Sequence, residues 1–422
     1  MLRLVTSLFT LLSGMTVLLT GLGLLSTLLG VRAQAAGMSS GTIGLIMAAY
    51  FAGFVIGTYW CPAIIRRVGH IRAFVAFSAI SAAVAIAHAL WVEPWFWGGL
   101  RLIHGIMMVG LYMTMESWLN SAVDNSRRGS LFAVYVTLTL LAMSLGQFLL
   151  MLGSGQGFVL FALVSMLFSL GLVPIALTHV SQPTPVETPT LHLRQLIGFS
   201  QLGTLGTLVA GLTSGAFWGL GAVFAKALNL PPFDIAAFMG VTIAGGALLQ
   251  WPIGKFSDRF DRRTVMLSVC AVGALLASGI SVATQLPLPI LLVLSFFYGG
   301  VAFTLYGISV AHMNDQIRVE DMLEASSGLL LIYGVGAVIG PILGGQLMSR
   351  FGPASLFVYF AVAMAALGLF GLHRSRISEP TPLEEQGEFV PMVRTSQAAI
   401  ELSHPEAQEA ATDEGEVRED AA

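Results

Sequence analysis

Gly110-Leu111-Tyr112-Met113-Thr114-Met115-Glu116-Ser117-Trp118-Leu119-Asn120 recurs downstream as Thr304-Leu305-Tyr306-Gly307-Ile308-Ser309-Val310-Ala311-His312-Met313-Asn314. The Leu-Tyr pair and the closing asparagine are kept at an offset of 194 residues (314 − 120). Gly146 and Gly340 obey the same offset (340 − 146). The charged clusters Arg66-Arg67 and Asp258-Arg259 stand 192 residues apart (258 − 66). A chain that repeats itself over this distance in strongly apolar surroundings reads as two related helical halves. Such halves face each other across an axis, the architecture of a carrier that rocks around a central site.

Composition places the chain in lipid. Of its 422 residues, 55% are hydrophobic and 10% are charged, and mean hydropathy is +0.81. A soluble domain carries about 25% charged residues, so too few are present here to solvate a globular surface. The net charge of −3 is unevenly placed, because 12 of the 23 acids fall between Glu379 and Asp420. The membrane part is therefore basic, but no basic face argues for nucleic acid. The two cysteines, Cys61 and Cys270, read as small buried hydrophobes. No His, Cys or Asp set has metal-ligand spacing, and no cofactor is implied.

A membrane span needs about 20 apolar residues. Twelve candidates fall near 6–30, 43–65, 70–91, 96–119, 130–153 and 156–178, then 199–227, 235–255, 264–284, 288–313, 326–348 and 354–373. The fold class is all-α and polytopic, with two pseudo-symmetric six-helix bundles at 1–178 and 199–375. Residues 179–198, with Pro183, Pro185 and Pro189, read as a linker. Residues 376–422 are acidic and poor in aromatics and read as a disordered tail.

Basic loops face the cytoplasm. Alternate loops carry Arg66, Arg67 and Arg72; Arg127 and Arg128; Arg194; Lys255, Arg259, Arg262 and Arg263; Arg318; and Arg374 and Arg376. The opposite loops carry only Arg32, Lys226 and Arg350. Both termini are therefore expected on the cytoplasmic side of a bacterial inner membrane. Trp91, Trp95 and Trp97 read as an aromatic belt on the other side.

Gly254-Lys255-Phe256-Ser257-Asp258-Arg259-Phe260-Asp261-Arg262-Arg263 closely resembles the Gly-x-x-x-Asp-Arg-x-Gly-Arg-Arg loop of the major facilitator superfamily. The resemblance covers residues 1–375. An earlier copy, Pro62-Ala63-Ile64-Ile65-Arg66-Arg67-Val68-Gly69-His70-Ile71, has proline for the glycine and arginine for the acid. The resemblance thus implies an acid clamp in the second half only. Arg101-Leu102-Ile103-His104-Gly105 resembles the family's Arg-x-x-Gln-Gly sequence, associated there with proton coupling; its repeat partner begins at Ser295. Glu116-Ser117-Trp118-Leu119-Asn120, followed by Arg127-Arg128-Gly129, looks like the YcaD-like branch.

The candidates follow. An arginine inside a membrane faces a cavity or a partner, so Arg101 is expected to contact substrate or tune coupling. His104, Tyr112, Gln147, Trp218 and Tyr306 are the accompanying candidates. Thr16, Thr20, Thr137, Thr139, Ser214, Phe217 and Ser309 are weaker ones. Arg66, Arg67, Arg72, Glu116, Gly254, Asp258, Arg259 and Arg263 form the expected cytoplasmic gate. Glu116 lies about 22 Å along its helix from Arg101 and cannot pair with it. Gly105, Gly336, Gly340, Pro341, Gly344 and Gly345 read as helix packing and a hinge.

No phosphate-binding Gly-x-x-x-x-Gly-Lys-Ser/Thr loop is present, which argues against a built-in ATP motor. The expected function is a monomeric secondary transporter of a small organic solute, driven by an ion gradient with protons the expected ion, and not an enzyme. A multidrug or metabolite exporter, a uniporter and a non-transporting sensor or scaffold are the alternatives.

Overall fold

The computed structural model describes residues 2–121, 125–153, 157–177, 193–283, 287–318 and 321–376, together with Pro382, Gln386, Gly387 and Phe389. Its helices are α1 (Leu2–Ala35), α2 (Ser40–Val68), α3 (His70–Leu90), α4 (Pro94–Ser121), α5 (Asn125–Phe148), α6 (Val159–Ala176), α7 (Leu193–Phe199), α8 (Gln201–Ala227), α9 (Pro232–Ser257), α10 (Arg262–Ala283), α11 (Leu288–Asn314), α12 (Met322–Phe351) and α13 (Ser355–Ser375). All but the short α7 are long and apolar enough to cross a membrane. With no water to satisfy backbone groups in lipid, a chain of this hydropathy forms helices that bond internally.

Local signals set the boundaries. Ser39 caps α2 by accepting from the Thr42 N–H at 3.1 Å, and Ser200 caps α8 by accepting from Gly203 at 3.2 Å. Pro232 opens α9 and Pro94 opens α4, where a missing N–H costs nothing. Gly69 joins α2 to α3 at φ 85°, a left-handed conformation that suits glycine. Its repeat mate, Asp261, solves the same junction differently: its carboxylate accepts the Arg263 N–H at 3.2 Å at the start of α10.

The repeat is visible in the packing, residue for residue. Gly53 and Gly105 lie so close to the carbonyls of Leu102 and Tyr50 that a Cβ would collide, which seats α2 on α4. Gly245 and Gly299 do the same against Phe296 and Thr242, seating α9 on α11. The offsets are 192 for the first helix of each pair (245 − 53) and 194 for the second (299 − 105). Gly146 against Thr20 and Gly23 against Met143 join α1 to α5; Gly340 against Leu212 and Gly215 against Ala337 join α8 to α12. Close backbone approach of this kind replaces the hydrophobic force that lipid abolishes.

The two sets of helices meet through α2 with α12 and α5 with α9, a pseudo-symmetric pair of seams. Two faces of the molecule can be distinguished. The basic face holds the α2–α3 and α9–α10 junctions; the far face holds the start of α2 and the end of α12. At the far face Gly44 abuts Pro341, Gly345 abuts Ser40 and Gly30 abuts Val223. Ser144 donates to the Gly240 carbonyl at 2.9 Å, and Phe148 meets Phe233 with ring centroids 6.3 Å apart. Val55 against Gly334 carries the α2–α12 seam to mid-depth.

Side chains such as Leu275, Leu369 and Leu145 point outward from the helices, as lipid contact requires. Cys61 and Cys270 are both buried and free, with the Cys61 thiol on the Ile106 carbonyl. One expectation needs correction. Trp91 and Trp95 are exposed, but Trp97 is wholly buried, with its indole N–H shared between the His88 and Trp91 carbonyls. A helix-start tryptophan with a buried carbonyl in reach turns inward instead of joining the belt.

Gly105→Ala should lower the melting temperature of the purified protein, because overpacking against the Tyr50 backbone costs about 1–3 kcal/mol. Gly98, on the same helix with open space around it, should instead tolerate alanine without loss. Thermal unfolding in detergent compares the two.

Candidate functional site

Arg101 lies seven residues into α4, about 10 Å from the far-face end. Its side chain is 5% exposed. The guanidinium carbon sits 4.2 Å from the centroid of the Tyr50 ring, contributed by α2. A desolvated cation over an aromatic face is held by about 2 kcal/mol, less than full solvation would supply. One Arg101 amine lies 3.4 Å from His104 Nδ1. Arginine only donates, so Nδ1 must accept and the ring proton falls on Nε2. Both Arg101 Nε and His104 Nε2 are buried without a hydrogen-bond partner.

Aromatic rings extend this centre. His104 contacts Tyr50 and Phe168, both at 5.6 Å between centroids. Tyr112 is buried near Phe54, 6.2 Å away. In the second set of helices Tyr306 of α11 meets Tyr333 of α12 at 5.3 Å. Trp218 of α8 stacks on Phe303 of α11, planes 3° apart at 5.8 Å. Arg101, His104 and Tyr112 thus line α4 beside Tyr50 and Phe54 of α2, while Trp218 and Tyr306 lie on α8 and α11 of the second set of helices.

Gln147 sits elsewhere. Its amide donates to the Gly23 and Met143 carbonyls, each at 3.0 Å, and its carbonyl accepts from Thr27. Every polar atom is engaged in the seam between α1 and α5. Thr16, Thr20, Thr137 and Ser309 bond their own helices, the usual local alternative for these residues. Ser214 and Thr139 keep buried hydroxyls without partners, and Phe217 packs between Phe238 and Phe303.

At the basic face, Arg66, Arg67, Arg72 and Arg259 are exposed. Glu116 is buried and accepts the Tyr135 hydroxyl at 2.7 Å. The side chains of Arg127, Arg128 and Arg194 lie outside the described residues. Gly336 and Gly340 press α12 onto α8 at the Leu208 and Leu212 carbonyls, Gly344 touches Leu356 and Leu220, and Gly345 crosses to α2.

Arg262, which the sequence offers only as one of the basic residues of its loop, is the organising residue of this face. Its guanidinium is 2% exposed and reaches Asp258 Oδ1 at 3.2 Å and Asp315 Oδ1 at 3.2 Å. Sequence reading names Asp258 but misses Asp315, one residue beyond the end of α11. Tyr50, an aromatic in an apolar run, is likewise missed. Asp258 does not clamp a helix N-terminus through its described bonds: Oδ1 accepts from Arg262 and from the Phe389 N–H at 2.8 Å. Burial pushes the Asp315 carboxyl up to about 6, against the pull of Arg262 and of the Gly387 N–H. Its Oδ2 is buried without a partner, as suits a carboxyl that binds a proton easily.

Comparison with known proteins adds to this geometry. The family model described as "Major Facilitator Superfamily" matches residues 203–406. The chain is similar to the "Uncharacterized MFS-type transporter YcaD" of Salmonella newport (strain SL254) and of Salmonella agona (strain SL483). Each is 28% identical over 354 residues, which is 82% of this chain and 90% of the relative. Among solved structures, the nucleoside transporter NupG superposes with a TM-score of 0.72 at 16% identity, covering 90% of this chain and 100% of that one. A bacterial homolog of the human lysosomal transporter Spinster, inward-facing and unoccupied, gives 0.71 at 13% identity, covering 90% and 98%.

The raised pKa of Asp315 has a signed consequence. The folded state holds this proton more tightly than the unfolded chain, whose carboxyl stays at 3.8. Its contribution is therefore fully present below about pH 4 and lost as pH rises through about 6. Melting curves should show wild type losing on the order of 2–3 kcal/mol relative to Asp315→Asn across that window, and nothing further above it. A difference that stays flat from pH 4 to 7 would refute the assignment.

Proposed function

We propose that the chain, a multi-pass membrane protein, belongs to the major facilitator superfamily and is a secondary active transporter of a small organic solute. It works by alternating access: the two six-helix bundles, 1–178 and 199–375, tilt about a central site. The linker at 179–198 joins them. Both termini lie on the cytoplasmic side of a bacterial inner membrane, so the basic face is cytoplasmic. The contacts at the far face support a state sealed on the outer side and open to the cytoplasm.

One observation carries the substrate reading. Arg101 is buried with the Tyr50 ring and the His104 imidazole beside it, and its Nε has no hydrogen-bond partner. A cation so placed favours an anionic or zwitterionic solute that brings its own carboxylate or phosphate. Tyr112, Trp218 and Tyr306 offer aromatic surface to the rest of the molecule. His104 Nε2–H supplies a directed donor. The likeness to a nucleoside transporter concerns the fold and does not favour nucleosides here.

Protons are the proposed coupling ion. Arg101 would bias the protonation of bound solute by its charge, since an adjacent cation favours the ionised form. A uniporter is the second reading, and a specific observation favours it: Glu116, the buried acid of α4, is committed to Tyr135 well away from Arg101. The gate uses Arg66, Arg67, Arg72, Arg259 and Arg263 with Glu116 and Asp258 when the basic face closes. The protein acts as a monomer without a cofactor.

Reconstituted into proteoliposomes, the protein should accumulate its solute in response to an imposed pH gradient. Arg101→Ala should weaken apparent affinity by roughly tenfold or more, the loss of a charge-assisted hydrogen bond worth about 1.5–3 kcal/mol. Flux indifferent to the gradient points to the uniporter. Flux and affinity unchanged in Arg101→Ala would remove Arg101 from the site.

A further inference from the structure

Two residues of the acidic tail, Gly387 and Phe389, lie against the second half, far in sequence from the residues they touch. Gly387 donates its N–H to Asp315 Oδ1 at 3.1 Å, and its carbonyl accepts from Arg262. Phe389 donates its N–H to Asp258 Oδ1 at 2.8 Å. The backbone groups of alternate residues are thus read by one acid–arginine–acid cluster. The Phe389 ring is 9% exposed. It fills a hollow made by two glycines: a Cβ on Gly254 of α9 would strike this ring, and one on Gly307 of α11 would touch it at 3.0 Å.

The repeat supplies an internal control. At the offsets of 192 and 194 residues, Gly254 corresponds to Pro62 and Gly307 to Met113. Asp258, Arg262 and Asp315 correspond to Arg66, His70 and Ser121. The first half has neither the hollow nor the anchors, although its helices pack in the same register. The second copy alone therefore holds everything this peptide uses.

We propose that Gly387 and Phe389 form a latch: docked on the Asp258–Arg262–Asp315 cluster, they hold the basic face open. Two features make docking oppose closure. The tail takes Asp258, the acid of the gate loop. It also lays a peptide at the basic-face end of α9, the helix that meets α5 of the other half. Tethering at the end of α13 keeps the peptide at an effective concentration in the millimolar range, so a few backbone hydrogen bonds and one ring suffice, and release stays easy.

The inference rests on alternating access for the meaning of closure, but its test needs no substrate. Nitroxide labels at Val68→Cys and Phe260→Cys, both exposed, report the separation of the halves across the basic face, in full-length protein with Cys61 and Cys270 replaced by alanine. Deleting residues 377–422 should shift the distance distribution to shorter values. Phe389→Ala should shift it likewise, and a synthetic peptide of residues 382–393 added to the truncated protein should restore the longer distance. An unchanged distribution on truncation overturns the latch, as does a peptide that binds without lengthening the distance. A shift on truncation that Phe389→Ala fails to reproduce also overturns it. Failure of transport with the distance shifts intact would count against the transporter reading alone.

Discussion

Backbone-to-backbone contact through glycine is what the rest of this molecule stands on. Lipid is as apolar as leucine, so burying more leucine gains little between helices. Gly53 and Gly105 in the first half, and Gly245 and Gly299 in the second, bring whole helices within carbonyl contact instead. That contact fixes the register of α2 on α4 and of α9 on α11. Register in turn decides which side chains face the centre, so the position of Arg101 beside Tyr50 follows from Gly105 abutting the Tyr50 carbonyl.

Polar groups divide by what surrounds them. Gln147 and Ser144 are joints: one ties α1 to α5, the other ties α5 to α9, and all the bonds are internal. Arg101 and His104 are different because they keep unsatisfied nitrogens inside the fold. At the basic face Arg262 is surrounded by acids and by the tail backbone. The centre is thus short of negative charge while the face is supplied with it, and the two sites have separate chemistry.

Much of the fold was legible because its signals are local or periodic. Span length follows from apolar runs, and the matched Leu-Tyr pairs announce the duplication. Arg101 stands out because a lone cation in an apolar helix is costly. What could not be read depends on distant partners. Asp315 looks like the first polar residue after a helix until Arg262 is seen beside it. Phe389 looks like part of a solvated tail, and nothing in its neighbours says that it meets a glycine hollow 135 positions away (389 − 254). Trp97 was misread because its two carbonyl acceptors arise only when the α3–α4 turn folds back.

The two sulfhydryls are inert by position. Cys61 of α2 is covered by α4 and Cys270 of α10 by α13, and both are buried. Folding therefore calls for no oxidant, and thiol chemistry on either side of the bilayer finds no sulfhydryl to attack. The chain can sit between a reducing interior and an oxidising exterior with its thiols indifferent to both.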